Sequence, residues 1–174
     1  MRLLSAGVGA RWLAAGAALG AAAIHAYVAP EHLREWWLYG GFFIGVTAVQ
    51  LALAWFVLRR PTVTVLLGGI WGTVALIGIY VASRTTGLPL APAHNHGHVL
   101  VAGDFTNGVP HLPGATGTNV EAVGAVDLSA LAVELLLITV LVALLPTAAR
   151  RHTTNLMMAL AVAAWGIGAG LALA

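Results

Sequence analysis

Five long apolar segments dominate the sequence and cover residues 12–28, 36–58, 62–83, 128–145 and 156–173. A helix needs about 20 mostly apolar residues to cross the hydrocarbon layer of a bilayer. Only 8% of the residues are charged, against roughly 25% in soluble domains. A water-soluble core cannot hide this much apolar surface. The sequence therefore predicts an all-α integral membrane bundle of five transmembrane helices, with residues 1–174 forming a single domain.

The arginines predict the orientation of this bundle, because short cytoplasmic loops of membrane proteins carry an excess of positive charge. Only Arg34 and Arg84 fall on one side of the five-span arrangement. The other side holds Arg2, Arg11, Arg59, Arg60, Arg150 and Arg151. The amino terminus is therefore predicted inside, with residues 84–127 as a long outer loop. All six acidic residues and six of the seven histidines fall on the outer side. The expected location is the cytoplasmic membrane of a bacterium.

The amino-terminal segment also has a second interpretation, as a secretory signal. It has a basic start, a short apolar stretch and small residues before a possible cut after Ala23 or Ala26. Arg11 lies late for such a signal, which favours an uncleaved helix. Both interpretations leave the other spans unchanged.

Composition also limits the partners and cofactors. The eight basic residues are all arginine and are scattered among helix ends, so no basic face for nucleic acid is predicted. The predicted surroundings are a lipid bilayer, with a membrane protein partner or a homo-oligomer as further possibilities. The chain has no cysteine, so a metal ion would have to be held by His, Asp, Glu or water.

The predicted outer loop contains the segment HNHGH, with imidazoles at His94, His96 and His98. A segment with alternating imidazoles and a glycine can fold around a metal ion. Since the chain has no thiolate ligands, this segment suits Cu(II), Ni(II) or Zn(II). Short His-rich tracts are also found in solvated loops that bind nothing. Metal binding by the loop and a merely solvated segment both stay open at this point.

Two ionisable residues fall inside predicted spans. His25 lies five residues before Pro30, and Glu134 lies seven positions into the fourth span, so the two are expected at similar depth below the outer surface. Such groups are costly in lipid and usually face a partner or a wet cavity. Asp127 precedes Glu134 by two helical turns and shares its helix face. In the simpler alternative, Asp127 is a helix N-cap and His25 is bonded to a carbonyl.

The segment PEHLREWWLYGG, residues 30–41, is predicted to open the second span, because proline and glutamate suit a first helical turn. His32 and Glu35 are three residues apart and share a helix face. That spacing fits either one divalent metal ion or a surface hydrogen bond.

Two further polar residues are expected to join helices. Arg84, at the end of the third span, is predicted to pair with Asp127 or Glu121 across the outer rim. Gln50 lies deep in the second span, where an amide is expected to form an interhelical hydrogen bond.

Three segments resemble a group of small uncharacterised bacterial multi-pass membrane proteins. These segments are HAYVAPEHLREWWLYGGFFIGVTAVQLALA, LIGIYVASRTTGLP and EAVGAVDLSALAVELL, and they carry the patterns H-x-x-E-W-W, S-R-T-x-G-L-P and E-x-V-G-x-x-D. The resemblance implies no known activity. It directs attention to the matching polar positions, which are His25, His32, Glu35, Gln50, Arg84, Glu121, Asp127 and Glu134. The His-rich insertion departs from the group, so the loop cluster is not implied to share its role.

These patterns lead to one functional hypothesis and one alternative. The hypothesis is an outer polar site for a copper or zinc ion, held by His25, His32 and Glu134, with Glu35 and Asp127 as further ligands. The loop histidines would collect the ion. The alternative is a structural or accessory subunit whose polar residues only join helices and partners. No residue pattern identifies a reaction.

Overall fold

The computed structural model describes residues 2–85 and 123–173, with side chains described for residues 7–85 and 123–166. Those two ranges contain five helices and no strand. The helices are α1 (Arg2–Glu35), α2 (Trp37–Arg59), α3 (Val63–Thr85), α4 (Ala125–Leu144) and α5 (Thr147–Leu173). Residues Gly7–Glu35 of α1 and the whole of α2, α3 and α4 are long and apolar enough to cross a membrane. The described part of the chain is thus an all-α, multi-pass membrane protein.

Helices α1 and α2 are joined by a single residue. Trp36 has an extended backbone, with φ −161° and ψ 127°, and is the N-cap of α2. The prediction that Pro30 opens the second span is wrong, because α1 continues through Pro30 to Glu35. Membrane helices tolerate an internal proline when neighbouring groups compensate for the lost hydrogen bond. His25 therefore lies ten residues before the end of α1, which is about 15 Å rather than one and a half turns.

Helix α2 comes very close to α1 at Gly40. A Cβ atom built on Gly40 would lie 2.6 Å from the Cα atom of Leu33, whereas a Cβ atom on Gly41 would meet nothing within 4 Å. Real Cβ atoms essentially never come within 3.0 Å of a backbone atom in this way. The short connection at Trp36 thus depends on a glycine in the first turn of α2.

Small residues along α1 allow its neighbours to pack closely, as is usual in membrane bundles. Helix α1 packs against α2 and α4, and α3 packs against α4. The buried residues of α1 include Ala14, Ala15, Ala18, Ala21 and Ala22. The largest fully buried side chains elsewhere are Val57, Ile70, Leu137 and Leu141. Among the described helices, α5 contacts only α4.

This packing brings four helix ends together. Helices α1 and α3 end, and helices α2 and α4 begin, at the same end of the bundle, which we call the cavity end. Large apolar side chains such as Trp37, Val49, Trp55, Val162 and Trp165 are more than half exposed, as expected for surfaces that face lipid.

Candidate functional site

A cavity of about 380 Å³ lies between the first four helices at the cavity end. Most of its wall is apolar and aromatic, with rings contributed by Trp36, Tyr39, Phe42, Phe43 and Tyr80. Its polar wall is formed by His25, His32, Ser83, Arg84, Asp127 and Glu134. Five of the eight residues predicted to be metal ligands lie within the described ranges, and four of those five line this one cavity.

His25 and Glu134 form a buried pair in the wall of the cavity. The two side chains come from α1 and α4, their residues are 8% and 5% exposed, and the distance from His25 Nε2 to Glu134 Oε1 is 3.6 Å. The predicted meeting of these two residues is therefore confirmed. The separation is somewhat longer than a direct hydrogen bond, and Glu134 Oε1 has no hydrogen-bond partner within the described residues.

Gln50 fixes the orientation of the His25 ring from the opposite side. His25 Nδ1 lies 3.0 Å from Gln50 Oε1, and an amide oxygen can only accept a hydrogen bond. With the Gln50 amide in this orientation, a neutral imidazole carries its hydrogen on Nδ1 and directs the Nε2 lone pair at Glu134. The predicted interhelical hydrogen bond of Gln50 is confirmed, and it links α2 to α1.

This arrangement requires one proton between His25 and Glu134. The Nε2 atom of a neutral His25 and the carboxylate of Glu134 are both acceptors, so neither can donate to the other. Favourable contact needs a proton either on Nε2, as an imidazolium, or on the carboxyl group. In both states the pair carries no net charge, which suits its low-dielectric surroundings. A single proton on either partner would thus make the pair a neutral unit facing an apolar cavity.

Arg84 and Asp127 form a second pair in the cavity wall, between α3 and α4. Arg84 Nη2 donates to Asp127 Oδ1 at 3.0 Å, and Asp127 Oδ2 accepts from the backbone N–H of Gly124 at 2.7 Å. The predicted pairing of Arg84 with Asp127 is confirmed. The alternative that Asp127 is itself the N-cap is wrong, because Gly124 is the N-cap and Asp127 reaches back to it from the first turn. Glu121 lies outside the described residues.

His32 and Glu35 form a third, more exposed pair at the end of α1. His32 Nδ1 lies 3.0 Å from Glu35 Oε2, so the spacing of three residues produces a side-chain hydrogen bond. The His32 ring also stacks on Phe43 at 4.6 Å between centroids, and the His25 ring stacks on the same Phe43 at 5.8 Å. His25 and His32 are two helical turns apart, or about 10 Å, so Phe43 separates the two imidazoles.

The structure brings together only part of the predicted metal site. His25 and Glu134 meet, whereas His32 and Glu35 bond to each other and Asp127 bonds to Arg84. Across residues 2–85 and 123–173, no three His, Asp or Glu side chains are grouped to hold a metal ion. His94, His96 and His98 lie outside the described residues. Copper or zinc binding therefore stays a prediction.

The aromatic part of the cavity was not predicted as a site. The sequence does contain a signal for Phe43, which precedes Gln50 by seven residues and so shares its face of α2. That face is the one directed at α1, where His25 and His32 lie.

No protein-family model, curated protein or solved structure matches this chain.

Proposed function

We propose that this protein binds a small, largely apolar molecule in the cavity, with the His25–Glu134 pair as the main polar contact. The observation that carries the proposal is a buried histidine–carboxylate pair, bonded to Gln50, in the wall of a mostly apolar cavity. Ligand sites in proteins are typically apolar cavities of about 300–1,000 Å³ with a few well-placed polar groups. The cavity of about 380 Å³ falls within that range.

The proposal includes a location for the site. The protein lies in a bacterial cytoplasmic membrane with α5 as a fifth span, and the cavity end faces the outside of the cell. The distribution of arginines supports this orientation, since Arg11, Arg59, Arg150 and Arg151 all belong to the opposite end of the helices. A ligand can then reach the cavity from the outer leaflet or from the outer solution.

We expect a cysteine at Gly97 to react with a membrane-impermeant thiol reagent in intact cells. The chain has no native cysteine, so the label reports this position alone. A cysteine at Thr62, in the connection between α2 and α3, is the control and should react only after the membrane is opened. The reverse labelling pattern contradicts the proposed orientation.

We expect a phenyl group at position 130 to abolish ligand binding. Ala130 lines the cavity, whereas Ala132 on the same helix is exposed, so Ala130→Phe and Ala132→Phe form a matched pair. The probes are para-fluorobenzyltrimethylammonium and its neutral isostere, para-fluoroneopentylbenzene, in which a carbon replaces the charged nitrogen. Fluorine NMR of the protein in lipid nanodiscs measures the bound fraction, with empty nanodiscs as the reference for partitioning into lipid.

At least one probe should bind to the unchanged protein and to Ala132→Phe, but not to Ala130→Phe. Equal binding to the two variants would place the site elsewhere. If neither probe binds to any form, the proposal fails and the accessory-subunit hypothesis gains.

A further inference from the structure

The charges in the cavity point to a specific class of ligand: we infer that the cavity takes a monovalent organic cation in exchange for the proton that His25 and Glu134 share. This inference rests on the proposed function and names the ligand class of that same site. The proton leaves to the solvent when the cation binds, and it returns when the cation dissociates. The total charge of the cavity is the same in both states.

The ionisable groups in the cavity wall set the net charge of the site. Arg84 and Asp127 are 3.0 Å apart and cancel each other. Glu134 contributes one further negative charge when its carboxyl group is ionised, and a neutral His25 contributes none. The site thus needs one positive charge, which either a proton or a monovalent cation supplies.

Neutrality matters here because an uncompensated charge in a low-dielectric site is expensive. With Glu134 ionised, the site carries one uncompensated negative charge. A divalent metal ion would leave it with one uncompensated positive charge instead. The structure also offers such an ion only His25 and Glu134 among the described side chains. A monovalent cation meets the charge requirement without needing a third ligand.

The other ionisable groups that residues 7–85 and 123–166 place in the cavity wall near Glu134 leave this balance unchanged. They are His25 and His32 on α1, Tyr39 on α2, Tyr80 and Arg84 on α3, and Asp127 on α4. His32 is already bonded to Glu35, which lies outside the cavity wall.

The aromatic wall indicates that the cation is organic. Aromatic faces attract ammonium groups by about 0.5–2 kcal/mol each, and quaternary ammonium ligands are the common case. Trp36 and Tyr39 border the cavity at the start of α2, and their rings pack edge to face at 5.1 Å. A small hydrated metal ion makes no use of such a wall, whereas a benzylammonium group uses both the rings and the carboxylate.

The test compares the two isosteric fluorinated probes across pH 5–8. At pH 8 the cation is expected to bind at least about tenfold more tightly than the neutral isostere. Its affinity should fall by up to about tenfold per pH unit as the pair takes up its proton, whereas the affinity of the neutral probe should stay constant. In weakly buffered solution, up to one proton should be released for each cation bound.

Two variants assign the effect to the pair. Glu134→Gln should lose the preference for the cation and its pH dependence, while it still binds the neutral probe. Glu31→Gln removes an exposed carboxylate of α1 outside the cavity wall and should behave like the unchanged protein. If Glu134→Gln does not fold, proton release and the pH dependence of the unchanged protein still decide the question.

Each alternative result has a distinct meaning. Binding of the neutral probe without the cation overturns this inference and leaves the proposed function intact. Failure of both probes removes the proposed function itself. Copper or zinc binding that disappears in Glu134→Gln, together with no binding of the cation, overturns the inference in favour of the metal site.

Discussion

Replacing Gly40 with alanine is expected to destabilise the protein by about 3 kcal/mol or more, at the upper end of the cost of overpacking. The new Cβ atom would lie 2.6 Å from the Cα atom of Leu33. A flexible side chain can turn away, but a backbone atom moves only if the helix moves. The connection at Trp36 is one residue long, so α1 and α2 cannot separate locally at this point. The free energy of unfolding of the purified protein, measured by denaturant titration in mixed micelles, checks this prediction.

Gly41→Ala is the matched control, since it changes the next residue of the same helical turn. A Cβ atom at Gly41 meets nothing within 4 Å, and alanine is favoured over glycine inside a helix by about 0.5–1 kcal/mol. This variant should therefore be as stable as the unchanged protein or slightly more stable. Equal stability of the two alanine variants contradicts the close approach of α1 and α2.

The sequence was sufficient to predict a helical membrane bundle and the meeting of His25 with Glu134. Length and apolarity of a segment decide whether it can span a bilayer, and both are read directly from the sequence. His25 and Glu134 lie at similar depth, as predicted, although the predicted end of α1 and the predicted start of α4 are both wrong. His25 is ten residues before the end of α1, and Glu134 is nine residues after the start of α4. His25 lies five residues deeper than predicted and Glu134 three residues deeper, and the resulting depths of about 15 Å and 14 Å still agree.

The sequence does not show which face of each membrane helix is turned toward its neighbours. In a soluble protein the apolar stripe of a helix marks its buried face, but a membrane helix is apolar on its lipid face as well. The spacing of seven residues puts Phe43 on the same face of α2 as Gln50, but nothing in the sequence shows that its ring packs between His25 and His32. This one ring separates two residues that were predicted to share a metal ion.

The connection between α1 and α2 was also predicted in the wrong place, for a physical reason. Pro30 is a strong helix breaker in water, where its missing N–H and its ring cost about 3 kcal/mol. In a bundle, neighbouring helices hold the chain on both sides of the proline. Helix α1 therefore continues for five more residues before Trp36 turns the chain. The pair of His32 and Glu35 consequently belongs to α1 and not to α2.

Removing either partner of the His25–Glu134 pair is expected to cost about 3 kcal/mol of stability, because the remaining buried group loses its compensation. The double variant His25→Ala with Glu134→Ala leaves no such group behind. Its loss should therefore be smaller than the sum of the two single losses by about 1 kcal/mol or more, as is found for residues in contact. The four proteins of this cycle are compared by denaturant titration under identical conditions.

His25→Ala combined with Asp127→Ala is the control cycle. Asp127 lies on the same helix face as Glu134 but is bonded to Arg84 and to the backbone of Gly124. Its loss should add to that of His25 within about 0.5 kcal/mol. Coupling in the first cycle and additivity in the second identify His25 and Glu134 as one unit that holds a single proton. Additivity in both cycles means that the two side chains are merely neighbours, and the proton exchange proposed for the cavity then loses its basis.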